Sequence, residues 1–401
     1  MIKKIKIEQL KPGMYVHDFN YPWLKHPFLG TTTKVKDEKT IEKIAGCGIR
    51  ELYIDTDKGL DADAPTEQEV NRDIQTELDR IGRGRQERKY LVPLRQEIAK
   101  AEAIKKEARQ TVRSIMEEAR FGRRITTERV VPVVEKMIES ILRNQDALIC
   151  LGRIKEADEY TYMHSMSVCV LMLSFGRYLG FDDRQLKEVG IGAMLHDVGK
   201  MKVPLKILNS RRPLSDREFS QIKRHVEYSN VLLEETGGIA ETSVILASEH
   251  HERVDGTGYP HGLKGGQISF YGQAAAIADV YDAMTSRRCY QRRYEPTEVL
   301  KKLYEWSGHY NPELVQHFIR CIGIYPVGSL VRLESGLLAV VIQHSERDLL
   351  HPVVRVIYDT KRDKFVLTYD LDLSQPGKGG PDRIVCSESS DKWRIRTERY
   401  L

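Results

Sequence analysis

No stretch of this chain approaches the roughly 18 consecutive apolar residues that a membrane-crossing helix needs. No basic-then-apolar leader opens it either, so the expected location is the cytoplasm. Cysteine is sparse. The six cysteines (Cys47, Cys150, Cys169, Cys289, Cys321 and Cys386) are scattered without a single CxxC pair. That spacing argues against a zinc ribbon or a disulfide framework and fits a reducing compartment. Charge of one sign is also lacking: the formal net charge is only +5 over 401 residues. A nucleic-acid polymer as partner usually calls for a sharper basic patch, whereas a small anionic ligand does not. There is no internal repeat and no low-complexity tract.

What remains is a composition of 41% hydrophobic and 30% charged residues, enough for a real core and long enough for two or three domains. Residues 1–62 alternate short strand-like pieces with turn residues such as Pro12-Gly13, Pro22 and Pro27, and show helical spacing only from Thr40 to Ala45. This reads as a small α+β module. Residues 63–145 change to Glu, Lys, Arg, Gln and Ala, with 14 basic against 7 acidic residues between 81 and 129. Apolar positions there are too sparse for an interfacial face, so a solvated linker helix is expected. Val134, Ile138, Ile141 and Leu142 resume an apolar pattern.

Residues 146–325 read as helix throughout. His164, Val168, Leu171, Phe175 and Tyr178 recur at spacings of three and four, as do Leu186, Val189, Ala193 and His196 before Gly199. Ser215 and Glu218 form a capping box for a helix with Phe219, Ile222, Val226, Ser229 and Leu233 inward. Ala240, Val244, Ala247 and His251 suggest another helix, and Asn311-Pro312 caps a further one. Residues 326–401 turn to strands: Leu330–Leu333, Leu338–Ile342, Val353–Tyr358 and Phe365–Thr368, with a turn from Asp359 to Lys364. The fold class is therefore mainly α, with a small module at one end and a small β appendage at the other.

Within 116 residues lie seven potential metal ligands: His164, His196, Asp197, His225, His250, His251 and Asp279. Imidazole and carboxylate without cysteine suit iron, manganese or zinc. One metal takes about four such ligands. Seven suggest two metals sharing a carboxylate, an arrangement suited to in-line attack on phosphorus. Taken alone, His164 and His225 would each read as core histidines on apolar helix faces. Company changes this, because burying five imidazoles and two carboxylates without metal leaves polar groups unpaired at about 1–3 kcal/mol each. His196 and Asp197 are adjacent, so on a helix their side chains diverge by about 100°.

The same residues carry a resemblance. His196-Asp197-Val198-Gly199-Lys200 is an HD-x-G-K motif, and His250 to Pro260 reads HHERVDGTGYP, a full HHExxDGxGYP. Ala278 to Ser286 follows at the matching distance. Over residues 150–325 the chain resembles the HD-GYP branch of the HD-domain phosphohydrolases, bacterial enzymes that hydrolyse cyclic di-GMP. The resemblance implies an HD-type helical bundle and two divalent metals, iron or manganese. One would be held by His164, His196, Asp197 and Asp279, the other by Asp197, His225, His250 and His251. A hydroxide bridging them would attack the phosphodiester to give pGpG, and further hydrolysis would give GMP.

Lys200 is then the cation at the scissile phosphate, although a helix-end lysine satisfies its position too. Arg288 takes the place of a family arginine that grips a phosphate. Asp282, one turn after Asp279, would orient a ligand or a water, or simply be a surface aspartate. Gly258, Tyr259 and Pro260 form either a rigid turn supporting His250-His251 or a surface for the nucleotide or a partner, which in this family includes diguanylate cyclases. Homo-oligomers and other signalling proteins complete the expected partners. Three departures stand out. Tyr160 occupies a position where three-metal members carry Glu, Cys289 replaces a proline, and Gln291 replaces a basic residue. The alternative readings are a phosphodiesterase for another cyclic dinucleotide, or a catalytically weak module that senses ligand or binds partners. The role of the N-terminal module stays open.

Overall fold

A computed structural model describes residues 1–21, 32–83, 90–152, 160–210, 212, 214–286, 294–306, 308–345, 348–375 and 382–401. The chain divides into two compact units: Met1–Leu78 with Pro204–Ile222, and Asp79–Val203 with Lys223–Leu401.

The first unit contains the N-terminal module. Strands β1 (Ile2–Lys6), β2 (Tyr15–Asp18), β3 (Thr33–Lys34) and β4 (Glu51–Asp55), with helix α1 (Glu38–Gly46) between β3 and β4, build it. The sheet runs β1-β4-β2-β3, antiparallel throughout. Ile5, Val16, Leu52 and Ile54 project from its strands and pack with Ile44 of α1 into one core. The α1 start is fixed by Asp37, whose carboxylate accepts from the Thr40 amide at 2.9 Å, satisfying one of the amides every helix leaves bare. Helix α2 (Glu67–Gly82) runs across the boundary between the units.

The second unit is the helical bundle. Helix α3 (Leu94–Arg120) lies in it and is no solvated spacer. Ala101, Ile104, Ala108, Val112, Ile115, Met116 and Ala119 are all buried along one face. Three of those seven are alanines, which is why the face looked too thin in sequence: small residues let a helix pack closely without raising its hydrophobicity. Helix α4 (Val130–Gly152) packs beside it. The buried Glu97 carboxylate joins the two, receiving Arg143 Nε at 2.7 Å, Arg143 Nη2 at 2.9 Å and Ser140 Oγ at 2.7 Å. Burial opposes the charge on Glu97, but Arg143 and Ser140 outweigh it and hold the carboxyl below its ordinary pKa. At Asn144 the backbone leaves helical geometry (φ −160°, ψ 104°) and α4 kinks. The kink has an identifiable cause. Arg143 gives its carbonyl to the Leu91 and Val92 amides, and Asn144 Nδ2 donates to the Val92 carbonyl.

Helices α5 (Tyr160–Tyr178) and α6 (Asp183–Leu195) follow in this unit; α7 (Leu205–Leu208) and α8 (Asp216–Lys223) up to Ile222 belong to the first unit, and α9 (His225–Glu234), α10 (Glu241–Glu249), α11 (Phe270–Thr285), α12 (Pro296–Glu305) and α13 (Pro312–Ile322) are again in the second. The Ser215–Glu218 capping box is present, with Ser215 N to Glu218 Oε2 at 2.9 Å. The helix expected to run on through Val226 and Leu233 instead breaks at Arg224, so α8 and α9 are separate and His225 opens the second.

The last segment is a five-stranded antiparallel sheet in the order β8-β7-β6-β5-β9. Its strands are β5 (Leu330–Leu333), β6 (Leu337–Gln343), β7 (Val353–Asp359), β8 (Lys364–Asp372) and β9 (Ile384–Ser387). Four of these were visible as apolar runs; β9, as short as β5, was not singled out in the sequence. Among the described residues no helix is long and apolar enough to cross a membrane.

Candidate metal centre

The seven ligand candidates converge from α5, α6, α9, α10 and α11. His164 sits near the start of α5, and His225 is the first residue of α9. Asp279 lies on α11, just after Ala274, Ala275, Ala276, Ile277 and Ala278, all of which are buried. His196 and Asp197 do not share one helix. α6 ends at Leu195, His196 is its C-cap, and Asp197 begins a 3-10 turn over Val198–Lys202. Likewise α10 ends at Glu249 and His250 caps it. The sequence spacing had run the first helix on to Gly199 and the second to His251.

That shift has a chemical use. As caps, both imidazoles reach back to a helix carbonyl: His196 Nδ1 to Ala193 O and His250 Nδ1 to Ala247 O, each at 2.7 Å. A carbonyl only accepts, so Nδ1 carries the proton and Nε2 presents a lone pair to the centre. His164 reaches the same tautomer differently. Its Nδ1 lies 2.6 Å from Oδ2 of Asp282, which is itself buried. A carboxylate behind a ligating imidazole is a recurrent way of fixing ring orientation. Asp282 therefore lies behind His164, away from the surface.

Asp197 is the centre of the cluster, and its two oxygens face different neighbours. Oδ2 is 3.5 Å from His164 Nε2 and 3.3 Å from His196 Nε2. Oδ1 is 3.2 Å from His225 Nε2 and 3.9 Å from His250 Nε2. Asp279 stands across from it, with Oδ1 at 3.0 Å from His164 Nε2 and Oδ2 at 3.6 Å from His251 Nδ1. Two groups of potential ligand atoms result, one of Asp197, His225, His250 and His251, the other of His164, His196 and Asp197. Asp197 belongs to both. The Lys200 ammonium pairs with Asp197 Oδ2.

The electrostatics favour a cation. Burial would raise the pKa of Asp197, but Lys200 and His196 overcome it and hold the carboxyl well below its ordinary range. Burial acts on Asp279 in the same sense, and His164 ahead of His250 and His196 again wins, so this carboxyl is also ionised. Burial pushes His250 well down, so it is neutral. For His196, burial works against the proton, yet Asp197 and Asp279 raise its pKa above the ordinary value. Nε2 of His196 and of His250 and Oδ1 of Asp197 are buried without a hydrogen-bond partner. Buried polar atoms rarely stay so. Imidazole nitrogens and carboxylate oxygens aimed at common points fit a divalent metal.

Two glycines explain how the ligands come so close. A Cβ on Gly199 would stand inside the His225 carbonyl oxygen and the Ser229 amide. Only glycine lets the 3-10 turn press against α9. Ser229 Oγ completes the joint, accepting from Gly199 N at 2.9 Å and donating to His196 O at 2.8 Å. A Cβ on Gly258 would likewise strike the backbone of Glu252 and Arg253.

The loop after His251 is tied down by two acids that sequence spacing did not single out. Glu252, 1% exposed, accepts from the amides of His261 at 2.7 Å, Gly262 at 3.2 Å and Leu263 at 3.0 Å. Asp255 accepts from Thr257 N at 3.0 Å and Thr257 Oγ at 2.7 Å and pairs with His309 at 2.8 Å. His309 follows α12 and gave no signal in the sequence. Tyr259 lies against the clustered histidines, 4.6 Å from the His251 ring at an interplanar angle of 36°. Gly258 and Pro260 form the turn that presents it. Arg288 lies outside the described residues, as do Cys289 and Gln291, and the side chain of Tyr160 is outside them too.

Comparison with known proteins agrees with this picture. Residues 2–130 match a domain of unknown function (DUF3391), and residues 136–314 match the HD domain family. The chain is 37% identical to the cyclic di-GMP phosphodiesterase PA4108 of Pseudomonas aeruginosa, over 99% of this chain and 94% of that protein. It is 34% identical to a cyclic di-GMP phosphodiesterase of Thermotoga maritima, over 41% of this chain and 45% of that one. A 3'3'-cGAMP-specific phosphodiesterase of Vibrio cholerae is 29% identical over 50% of this chain and 42% of its own length.

Proposed function

Because the chain belongs to the HD-GYP family of HD-domain phosphohydrolases, we propose that it is a metal-dependent phosphodiesterase that opens cyclic di-GMP to pGpG. The observation that carries this reading is the division of Asp197, one oxygen toward His164 and His196, the other toward His225 and His250. A carboxylate placed so is the natural bridge between two divalent cations, iron or manganese by the chemistry of the ligands. Asp279 completes the first set and His251 the second.

Bound there, the cations supply an activated water and neutralise charge on the phosphoryl oxygens. The protein's own residues do the rest. Lys200, beside Oδ2, offers an ammonium to the scissile phosphate. Asp282 and the Ala193 and Ala247 carbonyls hold the imidazoles in register, so no reorganisation is needed during the reaction. Arg288, outside the described residues, is assigned to phosphate binding by the family resemblance alone. Glu252 and Asp255 keep the 252–263 loop rigid, presenting Tyr259 at the edge of the centre. A second reading, a mixed cyclic dinucleotide as substrate, draws support from the cGAMP-specific relative.

The test is direct. The full chain is purified anaerobically, its metal content is measured, and it is incubated with cyclic di-GMP and with 3'3'-cGAMP while products are separated by chromatography. Appearance of pGpG, with cyclic di-GMP preferred, is the expected result. Preference for cGAMP selects the second reading, and turnover that survives full chelation sinks both.

A further inference from the structure

Lys223 closes α8, two residues ahead of the ligand His225. Its ammonium lies 5.1 Å from the centroid of the Tyr259 ring. That ring in turn lies 4.6 Å from His251 and 6.5 Å from His225. A cation over an aromatic face is held by the ring quadrupole. The ammonium is thus fixed one ring away from the ligand histidines that gather at Oδ1 of Asp197. Lys200, by contrast, stands at Oδ2. The two lysines serve different halves of the centre.

A cyclic dinucleotide carries two phosphodiesters across a closed ring, each with one negative charge, and only one is cut in a turnover. The metals and Lys200 account for the cut one. We propose that Lys223 is a substrate-positioning cation that grips the uncut phosphate, its ammonium aimed by Tyr259. This assignment rests on the reading of the protein as a cyclic dinucleotide phosphodiesterase. It gives the tyrosine of the loop a role without direct metal contact: a platform between a ligand histidine and a phosphate-binding lysine. It also separates the lysines by kind. Charge on the uncut phosphate does not change along the reaction, so Lys223 stabilises ground state and transition state alike, which shows in KM and not in kcat.

The experiment compares the full-length wild type with Lys223→Ala and Lys223→Arg, all manganese-loaded, on cyclic di-GMP and on bis(p-nitrophenyl) phosphate, a probe with a single phosphodiester. Expected for Lys223→Ala is a rise in KM for cyclic di-GMP of about tenfold, the usual weight of one charge-assisted hydrogen bond. Its kcat stays within about twofold. The preference for cyclic di-GMP over the single-phosphate probe falls by the same factor, and Lys223→Arg recovers most of it. An unchanged KM overturns the assignment, as does a parallel loss of kcat/KM on both substrates, which marks a structural role. Wild type that cleaves the small probe but not cyclic di-GMP overturns the functional reading, and the assignment falls with it. Wild type active on both, with KM untouched in Lys223→Ala, overturns the assignment alone.

Discussion

Asp282 Oδ2 lies 2.6 Å from His164 Nδ1, and both side chains are buried. One turn separates Asp282 from Asp279 on α11, and the two carboxylates meet opposite nitrogens of the same ring, since Asp279 Oδ1 is 3.0 Å from Nε2. The ring is clamped between two acids, Asp282 behind it and Asp279, the proposed ligand, in front.

Replacing Asp282 by Ala removes only the orienting partner. Metal affinity should fall by about 10–100-fold, the usual loss when such a supporting group is deleted. A competition titration against a fluorescent chelator measures it. Unchanged affinity would show that packing alone orients His164.

Asp197→Ala is expected to be far more severe, because both groups of ligands lose their shared member. Metal should be absent from the purified variant by elemental analysis, and turnover of cyclic di-GMP abolished. Retention of a full metal complement would refute the bridging role.

Lys200→Ala gives the opposite pattern. Metal content should match wild type while kcat drops by about 10²–10³, typical for loss of a charge-stabilising group at the reacting centre. If the metal goes as well, the ion pair with Asp197 is structural and Lys200 has no separate part in the chemistry.

How far these roles were legible in the sequence differs residue by residue. The clustered histidines and aspartates were readable because a metal centre demands particular side chains, and two dense motifs supplied most of the group that the fold brings together. His164 and Asp279 came through their spacing and the family resemblance. The supporting atoms were harder. The caps formed by His196 and His250 depend on where α6 and α10 stop, and the 3.6-residue period does not mark a helix end to within one residue. The burial of α3 was missed because three of the seven apolar residues on its buried face are alanines, which raise its hydrophobicity little. His309 could not be anticipated, since its pairing with Asp255 joins positions 54 apart in sequence that no local pattern connects.

Glu252→Ala should loosen the loop that carries Tyr259 by leaving three backbone amides, of His261, Gly262 and Leu263, without their acceptor. Those residues lie partly at the surface, so water compensates part of the loss and the fold should survive. Hydrogen exchange followed by mass spectrometry should show faster exchange confined to about residues 258–264. Unaltered protection there would mean that the turn is held by its glycines and Pro260 alone.

Metal uptake should depend on pH in a direction fixed by His196. Its pKa is raised above the ordinary imidazole value, because Asp197 and Asp279 outweigh the effect of burial. In the metal-free protein the proton on His196 therefore persists to higher pH than on a free imidazole, and it occupies the lone pair a metal requires. Below the raised pKa, affinity should fall by about tenfold per pH unit, and above it level off, with one proton released per site at the lower end. His250 adds nothing to this slope near neutrality, because burial already keeps it neutral. Asp197 and Asp279, held ionised, add nothing either. Manganese titrations at a series of pH values from about 6 to about 9, in paired buffers of different ionisation enthalpy, give both the slope and the proton count. Affinity that is flat across that range would place the His196 proton elsewhere and remove it from the ligand set, whereas a slope near two would call for a second protonated imidazole in the cluster.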